Sequence, residues 1–111
     1  MNIRDEISKN RKEFIFLCKN HKVKYLYAFG SSVSGKFDPE KSDIDLLVEI
    51  NSTDPIDRGE KLLSLWDLFE NFFNRKVDLL TDASIRNPFL RKNIDTTKVL
   101  IYDRSGQEIL I

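Results

Sequence analysis

Two short motifs carry the residue types that phosphate and metal chemistry require. The first is the pair Gly30-Ser31, and the second is Asp43 with Asp45. A glycine lets backbone amides approach a ligand closely, and amides at the start of a helix favour an anion such as a triphosphate. In an extended strand alternate side chains share a face, so Asp43 and Asp45 should project together. A phosphate-binding turn close to paired carboxylates predicts metal-assisted phosphoryl chemistry.

Carboxylate oxygens are the hard ligands that Mg²⁺ prefers, and substrate phosphates and water usually complete its coordination. Asp43 and Asp45 can bridge two ions about 3.5–4 Å apart, the spacing of two-metal sites. Asp78 lies on a predicted strand at 76–80. If that strand lies beside the one that carries Asp45, and its apolar residues face the core, Asp78 points to the same face. Together Asp43, Asp45 and Asp78 form a candidate site for two magnesium ions.

Each motif alone has a simpler interpretation. An isolated Asp-x-Asp pair usually marks solvated residues at a strand end, and an isolated Gly-Ser pair is an ordinary turn. The order of the motifs, with a third carboxylate on a later strand, is what favours a catalytic site. Cys18, among apolar positions of a helix, is interpreted as a core residue, and His21 as a charge at that helix's C-terminus without a catalytic role.

Composition narrows the function classes. A chain of 111 residues with 41% apolar residues predicts one globular domain over 1–111. Acidic and basic residues balance at 18 each, so no net field indicates a nucleic-acid partner. One cysteine cannot form an internal disulfide, and no apolar run is long enough for a membrane span or signal peptide. These observations predict a cytoplasmic protein without a membrane partner.

The apolar patterns predict an α/β fold with a small mixed sheet of about four strands and helices mainly on one face. The expected helices are at 3–20, at 58–73 and from Asn87 onward, and the expected strands are at 23–29, 43–50, 76–80 and 99–102. The apolar arc of the 58–73 helix is wider than one packing surface usually needs. Deep burial against the sheet is the first interpretation, and a contribution to a protein interface is the second.

The full order of motifs resembles the nucleotidyltransferase superfamily that includes DNA polymerase beta. The closer resemblance is to minimal nucleotidyltransferases that act as antitoxin partners of HEPN-domain ribonuclease toxins, and it covers nearly the whole chain. It implies a nucleotidyltransferase fold, with Asp43 and Asp45 as metal ligands and Asp78 as the carboxylate that binds a second ion and helps activate the acceptor. It also implies that Gly30 and Ser31 contact the triphosphate.

The resemblance implies a magnesium-dependent transfer of AMP from ATP to a protein hydroxyl, a tyrosine of a HEPN toxin, which the chain would silence as its antitoxin. The alternative is an antitoxin that neutralises its partner by occlusion, with a weak nucleotide site. The three aspartates argue against that alternative. The broad apolar helix argues for it, as do Ser32 and Ser34, which stand where many relatives carry arginines. Transfer to a small molecule is a third hypothesis, although such relatives usually add a second domain. Base preference and assembly, as a homo- or hetero-oligomer, stay open.

Overall fold

A mixed β-sheet lies at the centre of the structure, a computed structural model that describes residues 3–30, 33, 43–104 and 108–109. Within these residues the sheet has five strands in the order β3-β2-β1-β4-β5. β2 and β3 are parallel, and the other neighbouring pairs are antiparallel. The strands are β1 (Val23–Phe29), β2 (Ile44–Ile50), β3 (Val77–Leu80), β4 (Val99–Asp103) and the two-residue β5 (Glu108–Ile109). The predicted α/β fold is confirmed, with this short fifth strand as an addition.

The helices include a break that the sequence pattern did not predict. Instead of one helix over 3–20, α1 (Ile3–Lys9) and α2 (Arg11–Asn20) meet at Asn10, whose backbone leaves the helical region at φ −132° and ψ 46°. Asparagine favours such boundaries because its short polar side chain competes with helical backbone bonding. The later elements are α3 (Pro55–Phe73), a 3₁₀ turn (Asp82–Ser84) and α4 (Pro88–Thr97). None of the described helices combines the length and apolar character needed to cross a membrane.

The main core fills one face of the sheet. α1, α2 and α3 pack there on alternate strand residues, including Ile44, Leu46 and Val48 of β2. On the opposite face, Phe29 and Leu47 form a smaller cluster with Ile94 of α4 and Ile85. The helices therefore lie mainly on one face, as predicted, because the strands alternate apolar residues toward the larger core. α4 covers part of the second face of the sheet.

The wide apolar arc of α3 is largely explained by packing. Leu65, Phe69 and Phe73 are buried, while four further apolar side chains are partly buried against the same core: Leu62, Trp66, Leu68 and Phe72. Leu63 is the exception, with 68% of its surface exposed. Burial of the helix is confirmed, and the interface hypothesis survives as a prediction that now concerns Leu63.

Cys18 and His21, to which the sequence assigned no catalytic role, are both buried. Cys18 is buried in the main core, and burial raises the pKa of its thiol above the ordinary range. His21 is also buried, rather than being simply a charge at the helix end. Its Nδ1 lies 2.8 Å from the carbonyl oxygen of Leu17, and its Nε2 lies 3.0 Å from the hydroxyl of Ser64. His21 therefore links the end of α2 to α3.

Candidate active site

The candidate site is at the N-terminal end of β2. β1 runs antiparallel to β2 and pairs Phe29 with Asp45. The turn at Gly30, which directly follows β1, is therefore brought to the start of β2. Asp43 immediately precedes that strand, and Asp45 is its second residue. The antiparallel pairing thus places the glycine turn and the acidic motif at one edge of the sheet.

Asp78 is brought to the same edge by the parallel pairing of β2 and β3. The register matches Asp45 with Asp78, and it matches their flanking residues in the same way. Val77 and Leu79 belong to the main core, so Asp78 projects from the other face, as Asp45 does. The predicted condition, neighbouring strands with apolar residues turned to the core, is met. The proximity of the two carboxylates follows from this register.

Burial, with the charges of two neighbouring aspartates, perturbs the carboxyl group of Asp45. Its partial burial, followed by the negative charges of Asp78 and Asp43, raises its pKa from the ordinary value of 3.8 to about 6. Burial and like charges both disfavour ionisation. The ammonium group of Lys76 lies 3.8 Å from Asp43, and both side chains are substantially exposed. Such an exposed pair compensates little of the charge of Asp43, and a cation bound at this edge would relieve the repulsion among the carboxylates.

Gly30 has two reasons to be glycine. Its φ of +63° lies in the left-handed region that side chains with a Cβ rarely adopt. A Cβ at this position would also lie 2.9 Å from the Oδ2 atom of Asp45, closer than normal contact allows. The carboxylate of Asp45 therefore occupies the space beside Gly30 that a side chain would need. A phosphate on the turn and a cation on that carboxylate would be neighbours.

The turn is also held by a residue that sequence reasoning missed. The backbone N–H of Gly30 donates a hydrogen bond to Oγ1 of Thr97, at 3.2 Å, and the Gly30 carbonyl accepts one from Val33 N–H, also at 3.2 Å. A single threonine at the end of a helix carries no motif that could have identified it. Ser31, predicted to contact the triphosphate, lies outside the described residues, as do Ser32 and Ser34.

The donor set fits magnesium by its chemistry rather than as a completed cage. Within the described ranges, no three histidine, cysteine or acidic side chains converge closely enough to hold a metal ion. Mg²⁺ seldom uses such a cage, since one or two carboxylates with water and substrate phosphates usually suffice. Asp45 and Asp78 offer hard oxygen ligands side by side, and their repulsion would be relieved by a cation. These residues fit an ion that arrives with its nucleotide.

A groove of about 720 Å³ lies at the other end of β2. Its lining includes Tyr27, Leu47, Glu49, Arg58 and Lys98, and it contains none of the predicted site residues. Its charged groups of both signs indicate no particular ligand. Chemistry therefore favours the acidic edge over this groove as the functional site.

Comparisons with known proteins connect the chain to one family. The family model described as "Polymerase beta, Nucleotidyltransferase" matches residues 12–107. The Methanocaldococcus jannaschii protein MJ1379, named as a candidate protein adenylyltransferase, is 33% identical over 99 residues, which cover 89% of this chain and 94% of that protein.

Two solved structures are similar over most of the chain. A crystal structure of a toxin–antitoxin with AMP-PNP is 25% identical, with a TM-score of 0.61, and the match covers 88% of this chain and 77% of that one. A candidate minimal nucleotidyltransferase is 26% identical, with a TM-score of 0.59 and coverage of 89% and 95%.

Proposed function

The chain belongs to the polymerase beta family of nucleotidyltransferases, and from this premise we propose that it transfers AMP from ATP to a hydroxyl group of a partner protein. The observation that carries the proposal is the position of Asp45, which lies close to the Gly30 turn and pairs in register with Asp78. The turn proposed to bind phosphate and two carboxylates are thereby brought together. The name of the M. jannaschii relative supports adenylyl transfer to a protein, and the toxin–antitoxin with AMP-PNP supports ATP as the donor.

In this proposal the Gly30-Ser31 turn binds the triphosphate through the amide and hydroxyl of Ser31, while the N–H of Gly30 donates to Thr97. Asp43, Asp45 and Asp78 would hold one or two magnesium ions, which when bound neutralise phosphate charge and polarise the reacting oxygens. The carboxylates orient the nucleotide so that its α-phosphate faces the acceptor. With a pKa near 6, Asp45 is mostly ionised at neutral pH, and a nearby cation favours that state further.

Asp78 is proposed to act on the acceptor side of the site. The acceptor oxygen forms a bond to the α-phosphorus, the bond from that phosphorus to the bridging oxygen of the β-phosphate breaks, and pyrophosphate leaves. The hydroxyl proton passes to Asp78 or to water as the new bond forms. Because Asp78 neighbours Asp45 in register, it can serve the hydroxyl while Asp45 faces the nucleotide.

The acceptor is proposed to be a tyrosine of a HEPN-domain toxin, and the reaction would silence that toxin. The acidic edge is only partly buried, so a folded acceptor must supply much of its own positioning. Docking of such a partner makes the transfer effectively intramolecular. We place this activity in the cytoplasm, the compartment predicted from a single cysteine without an internal partner.

One observation favours the alternative of neutralisation by occlusion. The exposed Leu63 offers an apolar contact on α3. In this alternative the chain binds its partner and covers the partner's active site without modifying it. The two functions differ in whether the partner gains mass.

The deciding experiment combines the protein, magnesium, α-labelled ATP and the product of the neighbouring gene. Intact-mass spectrometry should show that the partner gains one or more AMP groups, with pyrophosphate released. The Asp43→Asn, Asp45→Asn double variant should transfer nothing. Glu49→Gln is the matched control, since Glu49 is an exposed carboxylate further along β2. If the double variant silences the partner fully and no mass is gained, occlusion is the correct function.

A further inference from the structure

The last residue of α4 reaches across to the candidate nucleotide site. Oγ1 of Thr97 accepts the hydrogen bond of Gly30 N–H at 3.2 Å and lies 2.7 Å from the carbonyl oxygen of Asn93. A threonine hydroxyl has one proton and two lone pairs. Because that proton is donated to Asn93 within the helix, the oxygen is oriented with a lone pair toward Gly30. The acceptor for the glycine N–H is thus set by the helix itself.

α4 is a firm support for this contact. Ile94 is buried in the cluster on the second face of the sheet, and Asn87 caps the helix by accepting from two backbone N–H groups. Arg91 forms a 2.7 Å ion pair with Asp82 in the preceding 3₁₀ turn. Thr97 therefore projects from a helix that is tied down along its length, and its hydroxyl has a defined position relative to the sheet.

Gly30 needs such a support because glycine has the greatest backbone conformational freedom of all residues. The structure holds it from both sides: its N–H by Thr97, and its carbonyl by Val33, whose side chain packs on the main core. The same turn lies against Oδ2 of Asp45. Any rotation of the Gly30 peptide would change the orientation of the proposed phosphate-binding turn relative to the carboxylate of Asp45.

We propose that Thr97 is a positioning residue for nucleotidyl transfer: its hydroxyl holds the Gly30 turn in the orientation that binds the triphosphate next to Asp45. The inference rests on the proposed nucleotide site and adds a residue to it. Thr97 acts through Gly30 and is not required to touch the nucleotide. Removing its hydroxyl leaves a partly buried N–H without its acceptor, and the turn gains conformational freedom.

The chain offers a closely matched control. The neighbouring Thr96 also donates its hydroxyl to helix carbonyls, those of Lys92 at 2.9 Å and Asn93 at 3.1 Å. It is exposed, and these two bonds remain within α4. Thr96→Val and Thr97→Val therefore both remove a hydroxyl from the end of the helix, and the second also removes the bond to Gly30. Thr97→Ser keeps that bond.

Two measurements on these variants test the proposal. Hydrogen exchange of the Gly30 amide, read by NMR without ligand, should accelerate in Thr97→Val and stay near wild type in Thr96→Val and Thr97→Ser. Affinity for magnesium with α,β-methylene-ATP, measured by titration calorimetry, should fall roughly five- to tenfold in Thr97→Val, the effect of one lost hydrogen bond. In transfer assays the change should appear in KM more than in kcat.

The outcomes separate this inference from the proposed function. If wild-type protein binds no magnesium-nucleotide, both proposals are overturned. If wild type binds it and Thr97→Val binds as tightly as Thr96→Val, only the role of Thr97 is overturned. If the hydrogen-exchange rate of the Gly30 amide is unchanged in Thr97→Val, the Thr97 hydroxyl does not hold the turn, even where nucleotide affinity falls. Accelerated exchange with weakened affinity, restored by serine, supports it.

Discussion

Asp45→Asn should stabilise the folded protein at neutral pH while it removes nucleotide binding. The pKa of Asp45 rises from 3.8 to about 6 in the folded state, and about 1.4 kcal/mol per pKa unit sets an upper value of about 3 kcal/mol. Asp45 is only partly buried, so solvent screening reduces this destabilisation to about 1 kcal/mol. Asparagine has nearly the same shape and no charge. We therefore expect the variant's free energy of unfolding to exceed that of wild type by about 1 kcal/mol at pH 7.5.

The sign follows from proton linkage. A carboxyl group whose pKa is raised on folding binds its proton more tightly in the folded state than in the unfolded state. Wild type therefore loses stability relative to the variant as pH rises from 3.8 to about 6, and the difference is constant above that window. Below pH 3.8 both folded and unfolded Asp45 are protonated, so the advantage of asparagine should disappear.

Urea unfolding at several pH values, with EDTA present, measures this difference directly. Glu49→Gln serves as the control, because it removes an exposed carboxylate from the same strand and should show no comparable gain. Magnesium with α,β-methylene-ATP should stabilise wild type by binding its folded state, and Asp45→Asn should lack that gain. An Asp45→Asn variant less stable than wild type by a constant amount at every pH would refute the raised pKa of Asp45 in the folded protein.

Four further predictions concern the same site, one glycine of α3 and one surface residue. Gly30→Ala should lower the free energy of unfolding by about 1–3 kcal/mol, because alanine is strained at φ +63° and its Cβ would meet a carboxylate oxygen at 2.9 Å. Gly59→Ala, in a helix with no atom within 4 Å of the added Cβ, should instead stabilise by about 0.5–1 kcal/mol in the same unfolding assay. Asp78→Asn should keep much of the triphosphate affinity seen in calorimetry but lose transfer, and a loss of binding equal to that of Asp43→Asn would contradict this division of roles. Leu63→Lys should weaken pull-down of the neighbouring gene's product without changing the melting temperature, and unchanged capture would remove α3 from the interface.

The sequence by itself determined the features that depend on local periodicity. Alternation along an extended segment is a property of the backbone, so the common face of Asp43 and Asp45 could be inferred before any partner strand was known. The same alternation put Asp78 opposite two core residues. The cap at Asn87 was equally readable, since its side chain and the following proline act within one turn. Even the wide arc of α3 was visible from its residue spacing.

The tertiary structure alone decided which of these local features meet. The Asp45–Asp78 register, the contact of Gly30 with Asp45 and the bond from Gly30 to Thr97 all join residues far apart in the chain. Such contacts depend on strand order and helix packing, which a single segment's pattern does not encode. The raised pKa of Asp45 is of the same kind, because burial and neighbouring charges exist only once the sheet has formed. Thr97 could not be recognised in the sequence because its role comes entirely from the turn that it contacts.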